Sequence, residues 1–99
     1  MKVTRISGEP ANIFETVVAS GTRVRMGRIS FRGGQRVPDV GSSSHEQEEH
    51  SYVLSGSLTV TSGGASTRAS AGDLISIQPG ESHFTEVTSD AAVVYLMIG

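Results

Sequence analysis

Short strand-like runs separated by turn residues are the feature that most constrains the fold of this 99-residue chain. From Ser51 to Ile77 the sequence reads SYVLSGSLTVTSGGASTRASAGDLISI, in which runs of Val, Leu, Ile and Thr alternate with Gly, Ser and Asp. Such punctuation is typical of strands joined by tight turns. No segment has the sustained 3.6-residue apolar repeat of an amphipathic helix. We therefore predict an all-β fold.

The turn residues divide the chain into about eight short strands, which limits how they can be arranged. Ser55-Gly56 and Gly63-Gly64 are each predicted to form a hairpin turn, and further turns are predicted at 71–73 and 78–82. An open sheet of this kind would leave edges that aggregate, whereas a barrel or a double-sheet jelly roll hides them. The alternative is an immunoglobulin-like sandwich, but the core Trp and Cys pair expected of it are absent.

Segment 22–32, TRVRMGRISFR, has an apolar pattern that changes parity. Val24 and Met26 share one parity, whereas Ile29 and Phe31 share the other. Because side chains alternate along a strand, this predicts that the inward face switches near Gly27 through a β-bulge.

Charge and composition argue against several classes of partner. A formal net charge of -2 gives no general attraction to nucleic acid. The one basic cluster, Arg23, Arg25 and Arg28, alternates with apolar residues, so we predict the solvent face of a strand rather than an anion site. No apolar run is long enough to span a bilayer or to serve as a signal peptide. We therefore expect no nucleic-acid or membrane partner, and a cytoplasmic location.

The stretch GSSSHEQEEHSYVLSG, residues 41–56, concentrates the residues that could bind a metal. Were HEQEE a straight strand, His45 and Glu49 would lie roughly 13 Å apart, too far to share one ion. A tight turn at 46–48 would instead place the two side chains on one face. His83, just after the turn QPGES, is the natural third ligand. Without Cys, such a site suits Fe, Mn, Ni or catalytic Zn.

Two alternatives concern residues near this stretch. His50 would replace Glu49 as ligand if the turn were one residue longer; otherwise His50 points outward, towards a carboxylate or a subunit contact. Tyr52 and Tyr95 are predicted to be packing residues. No Gly-rich phosphate loop is present, so no nucleotide cofactor is expected.

Over residues 24–98 the sequence resembles the cupin superfamily, specifically its small single-domain members. That family has two motifs, one with His, Glu and a closing Gly, the other with Gly, a Pro-x-Gly turn and His. The matching residues here are His45, Glu49 and Gly56 in the first motif and Gly72, Gly80 and His83 in the second. Three positions depart from the motifs: Ser43 stands for the first His, Val37 for the leading Gly and Val87 for the terminal Asn.

The resemblance implies a double-stranded β-helix, or jelly-roll barrel, over 21–99, and an N-terminal arm over 1–20 that contacts a partner subunit in a homodimer. It implies a metal site at His45, Glu49 and His83, although Ser43 is a poor ligand. It does not fix the reaction, because the family's chemistry runs from dioxygenation to isomerisation.

Three functions remain open. The first is a divalent-metal-dependent enzyme acting on a small molecule through a two-His, one-Glu site. The second is a metal-free module that binds or senses a small molecule, which Ser43 favours because its hydroxyl forms hydrogen bonds. The third is a structural subunit with a degenerate metal site.

Overall fold

A computed structural model describes residues 1–3 and 14–99, and its regular structure there consists of β-strands. No helix among these residues is long and apolar enough to cross a bilayer. The prediction of an all-β fold is confirmed. The strands are β1 Phe14–Val17, β2 Arg23–Phe31, β3 Arg36–Val37, β4 Glu48–Ser62, β5 Ala65–Ser70, β6 Leu74–Ile77 and β7 His83–Ile98.

The two longest strands, β4 and β7, pair with each other along almost their whole length and join two layers of sheet. In one layer, residues 48–55 of β4 pair with residues 92–98 of β7, flanked by β6 on one side and by β2 and β1 on the other. In the other layer, residues 57–62 pair with residues 83–89, flanked by β5 and β3. This is the predicted jelly-roll arrangement of antiparallel strands.

The prediction of a hairpin at Ser55-Gly56 is wrong, because β4 continues through both residues. The register with β7 shifts there, and Gly56 adopts a left-handed φ of 77°. β4 therefore bends from one layer into the other, and glycine allows both the bend and a close approach to Asp90 and Ala91 of β7. The turn at Gly63-Gly64 is confirmed, since Ser62 pairs with Ala65 across it.

The β-bulge predicted at Gly27 is also wrong, because β2 pairs with β7 without interruption from Val24 to Phe31. Arg25, Ile29 and Phe31, which share the parity of Gly27, line the interior. The apolar Val24 and Met26 consequently lie on the outer face, which is why the sequence pattern suggested a switch. Gly27 pairs with Tyr95 and adds no side chain to the interior at that level.

The hydrophobic core consists of small apolar residues from both layers, namely Val53, Leu58, Ala69, Val87, Ala91 and Val93. Ile29, Phe31 and Ile75 pack against it. This packing leaves a cavity on one side of the core, into which the candidate site faces. Of the predicted arm, residues 4–13 lie outside the described part of the chain, whereas Phe14–Val17 forms β1, paired with β2.

Candidate metal centre

Three side chains that are distant in the sequence converge at one side of the cavity. His45 lies in the loop before β4, Glu49 is the second residue of β4, and His83 is the first residue of β7. The chain bends at residues 46–47, so that His45 Nε2 lies 3.2 Å from Glu49 Oε1. One potential ligand atom from each of the three residues lies within 4.8 Å of the others. The turn predicted between His45 and Glu49 is thus present, and β4 begins one residue earlier than expected.

Main-chain hydrogen bonds fix the two loops that carry the histidines. Ser43 and His83 form an isolated β-bridge, with N–H to carbonyl distances of 2.8 and 2.9 Å. The Gly80 N–H donates to the carbonyl of His45 at 2.7 Å. The ligand positions are therefore set by backbone pairing between the loops.

The turn before His83 is held by the Glu81 carboxylate, which accepts hydrogen bonds from the Ser62 hydroxyl at 2.6 Å and from the Gln78 N–H at 2.9 Å. Because both bonds favour the ionised form, the hydrogen bond from Ser62 above all, the pKa of Glu81 is lowered. The carboxylate stays charged at neutral pH and keeps this turn closed.

The two imidazoles form hydrogen bonds through Nδ1, which leaves the lone pair of each Nε2 available to a metal. His45 Nδ1 donates to the Gln47 carbonyl, and His83 Nδ1 donates to the Glu81 carbonyl, each at 2.9 Å. Because a carbonyl oxygen can only accept, a neutral ring carries its proton on Nδ1. Metal-binding histidines are commonly oriented in this way.

His45 Nε2 is buried and has no hydrogen-bond partner among the described residues. It lies at ion-pair distance from Glu49 Oε1, but on the Nδ1-protonated ring both atoms are acceptors and repel each other. The second oxygen of Glu49 accepts a hydrogen bond from Ser51 at 2.9 Å. A cation between the imidazoles and the carboxylate would remove this repulsion. The two histidines and the glutamate are therefore suitable ligands for a divalent metal.

A cavity of about 330 Å³ adjoins these residues, within the range of small-molecule sites. Its lining is mostly apolar, with side chains such as Phe31, Ile77 and Met97. Arg25 and Tyr95 also line it. The prediction that Arg25 lies on the solvent face of its strand is therefore wrong, and Tyr95 was predicted only as a packing residue. Burial raises the pKa of the Tyr95 phenol, Arg25 lowers it in opposition, and Glu49 raises it further. The phenol of Tyr95 therefore remains neutral, and its hydroxyl is a polar group in the cavity wall.

His50 lies on the opposite face of β4 from Glu49. Its Nε2 is 2.6 Å from Glu48 Oε2, to which it donates, and its Nδ1 accepts from the Ser76 hydroxyl at 2.8 Å. His50 thus points outward to a neighbouring carboxylate, as predicted for the case in which it is not a ligand. It does not replace Glu49 at the centre.

The three departures from the cupin motifs lie at structurally distinct places. Ser43 lines the cavity directly across the β-bridge from His83, so it belongs to the site rather than to a surface loop. Val37 also lines the cavity. Val87 is buried in the core. Only the serine changes the set of potential ligands.

The chain is thus a small jelly-roll domain in which His45, Glu49 and His83 cluster beside a cavity. The sequence model of the cupin domain matches residues 27–99, so this chain belongs to the cupin family. No functionally curated protein sequence matches the chain significantly.

Several solved structures share this fold at low sequence identity. A predicted oxalate decarboxylase from Thermotoga maritima has a TM-score of 0.69 and 22% identity, with 98% of both chains covered. A cupin superfamily protein from Desulfitobacterium hafniense has a TM-score of 0.70 and 14% identity over 86% of this chain and 75% of that chain. For a Streptococcus pyogenes protein of unknown function the values are 0.68 and 19%, with 76% of this chain but only 63% of that chain covered.

Proposed function

We propose that this cupin binds a divalent transition metal through His45, Glu49 and His83, and that it acts on a small molecule in the adjoining cavity. The observation that carries the proposal is the buried, unpaired Nε2 of His45, which faces a carboxylate acceptor at 3.2 Å. Two acceptors in contact without a donor are unfavourable in a folded protein, and either a proton or a metal cation between them removes the repulsion; the second imidazole beside them favours the metal.

Two imidazoles and one carboxylate suit Fe, Mn, Ni or Zn. When bound, such an ion acts as a Lewis acid or, for a redox-active metal, as an oxygen-activating centre. The chain's own residues bind and orient the reactants. Glu49 lowers the net charge of the centre, Gln47 and Glu81 hold the imidazole rings through their carbonyls, and the apolar walls limit access of water.

The direct test is elemental analysis of protein purified without chelators, followed by titration with Fe, Mn, Ni and Zn salts. We expect about one equivalent of a transition metal per chain after loading. Less than about a tenth of an equivalent, with no uptake of any added metal, would refute the metal site.

The second candidate function is a metal-free binding module, which the position of Ser43 favours. Its hydroxyl lies in the cavity wall where a fourth ligand would otherwise be expected. In that case, thermal stabilisation by small acids or sugars should persist in the presence of a chelator. Loss of all ligand-induced stabilisation on chelation would favour the metal-dependent function instead.

We also propose that two copies form a homodimer, as the cupin resemblance implies, and that the protein is cytoplasmic. The outer face carries exposed apolar side chains, including Tyr52 and Leu74 on the neighbouring strands β4 and β6, at 45% and 61% exposure, and Phe14 on the edge strand β1, at 41%. Tyr52 pairs with Leu74, so they form part of one continuous surface. Sedimentation equilibrium should give twice the chain mass of 10.4 kDa, and Tyr52→Glu should shift the equilibrium towards monomer. A wild-type protein that remains monomeric at high concentration would exclude this dimer.

A further inference from the structure

Arg25 is the only arginine or lysine among the described residues that line the cavity. It lies in β2 and pairs with Met97 of β7, and on its other side Met97 pairs with Glu49 of β4. Arg25 and Glu49 are thus in one row across three strands, with Cα atoms about 10 Å apart. Arg25 and two of the candidate ligands, Glu49 and His83, line the same cavity.

No carboxylate of the described residues forms an ion pair with Arg25. By contrast, its neighbour Arg23 pairs with Glu15 at 2.6 Å on the exposed surface. Glu49, the one carboxylate among the described residues of the cavity wall, is already contacted by His45 and Ser51. A half-buried cation in a mostly apolar cavity without an anion is less stable than one with a partner.

We propose that Arg25 binds the carboxylate of a small anionic substrate, a hydroxy- or oxo-acid, whose other oxygen reaches the metal centre. This proposal rests on the proposed function and assigns its substrate class. Arg25 is thereby a specificity-determining residue.

The chemistry of the cavity favours such a ligand. A guanidinium presents paired N–H donors that match the two oxygens of a carboxylate, and the apolar walls strengthen the attraction by lowering the local polarity. Arg25 and Glu49 cancel in formal charge, so a divalent ion would leave the cavity positive and would favour an anion over a neutral molecule. A cavity of about 330 Å³ admits only a small ligand.

The test compares glycolate, pyruvate and malonate with their neutral amides, using thermal shift and calorimetric titration of metal-loaded and of chelator-treated protein. We expect at least one carboxylate to bind wild type more tightly than its amide. Arg25→Gln should weaken that binding at least tenfold, because a charge-assisted hydrogen-bond pair is lost. Arg25→Lys should retain part of the affinity.

Arg28→Gln is the matched control, because it removes the same charge from the exposed outer face of the same strand. It should bind the carboxylates as wild type does. Wild-type affinity in Arg25→Gln, equal binding of acids and amides, or no binding of any acid in the panel would each overturn the proposal. Metal content, measured on every variant, separates the proposed metal centre from the proposed role of Arg25. Arg25-dependent binding without metal uptake would defeat only the metal centre, whereas metal uptake without carboxylate binding would defeat only the role of Arg25.

Discussion

Replacing His83 by alanine should reduce metal affinity by more than about 100-fold, since loss of even an outer hydrogen-bond partner of a ligand costs about 10- to 100-fold. His83 supplies one of the three potential ligands that cluster among the described residues, and its Nδ1 is held by the Glu81 carbonyl, which leaves Nε2 available to a metal. Metal content after dialysis, and competition titrations with Mn, Ni and Zn, would measure the loss.

His50→Ala provides the control for this experiment. It removes an imidazole from the same protein, but one that contacts Glu48 and Ser76 on the outer surface. Metal affinity should be unchanged. If His50→Ala lost the metal, or if His83→Ala retained it, the centre would have to be placed elsewhere.

The opposite change, Ser43→His, should increase metal affinity at least about tenfold by adding a fourth nitrogen ligand. Position 43 lines the cavity and is paired with His83 through the backbone, so a longer side chain there can reach the cluster. Metal binding that appears only in this variant would identify the natural site as degenerate, and would favour the metal-free function.

Gly56→Ala should lower the free energy of unfolding by about 3 kcal/mol or more, a large fraction of the stability of a typical domain. A Cβ atom at Gly56 would overlap the Asp90 carbonyl oxygen and lie 2.7 Å from the Ala91 Cα. Both atoms belong to the backbone of β7, which cannot retreat without separating strands at the bend between the two layers. Urea unfolding would measure the effect.

Gly64→Ala separates the two causes of this loss. Gly64 has the same φ of 77° as Gly56, but a Cβ there would meet nothing within 4 Å. It should lose only about 1 kcal/mol, for the left-handed backbone conformation. Equal losses in the two variants would show that the close approach to β7 contributes nothing.

The sequence was sufficient to predict the all-β class, and through the cupin motifs the jelly roll and the convergence of His45, Glu49 and His83. The course of β4 through Ser55-Gly56 was beyond prediction from local pattern. A glycine with positive φ serves a hairpin and a sharp strand bend equally well, and only the position of β7 distinguishes them.

Arg25 was wrongly predicted to lie on the solvent face for a related reason. Local alternation assigns the apolar residues of a strand to the interior. In β2, however, the inward face borders a cavity and carries the charged side chain of Arg25, whereas the apolar Val24 and Met26 lie on the outer face. Which parity faces inward depends on the pairing of Gly27 with Tyr95 and of Arg25 with Met97, which is long-range information.

The loops that carry the candidate ligands are joined by main-chain bonds between Ser43 and His83 and between Gly80 and His45. These bonds do not depend on the side chain at position 43. A substitution there can therefore change the ligand that this position offers to the site while the pairing between the loops is kept. New chemistry in this protein is therefore accessible by single replacements, without an intermediate that fails to fold.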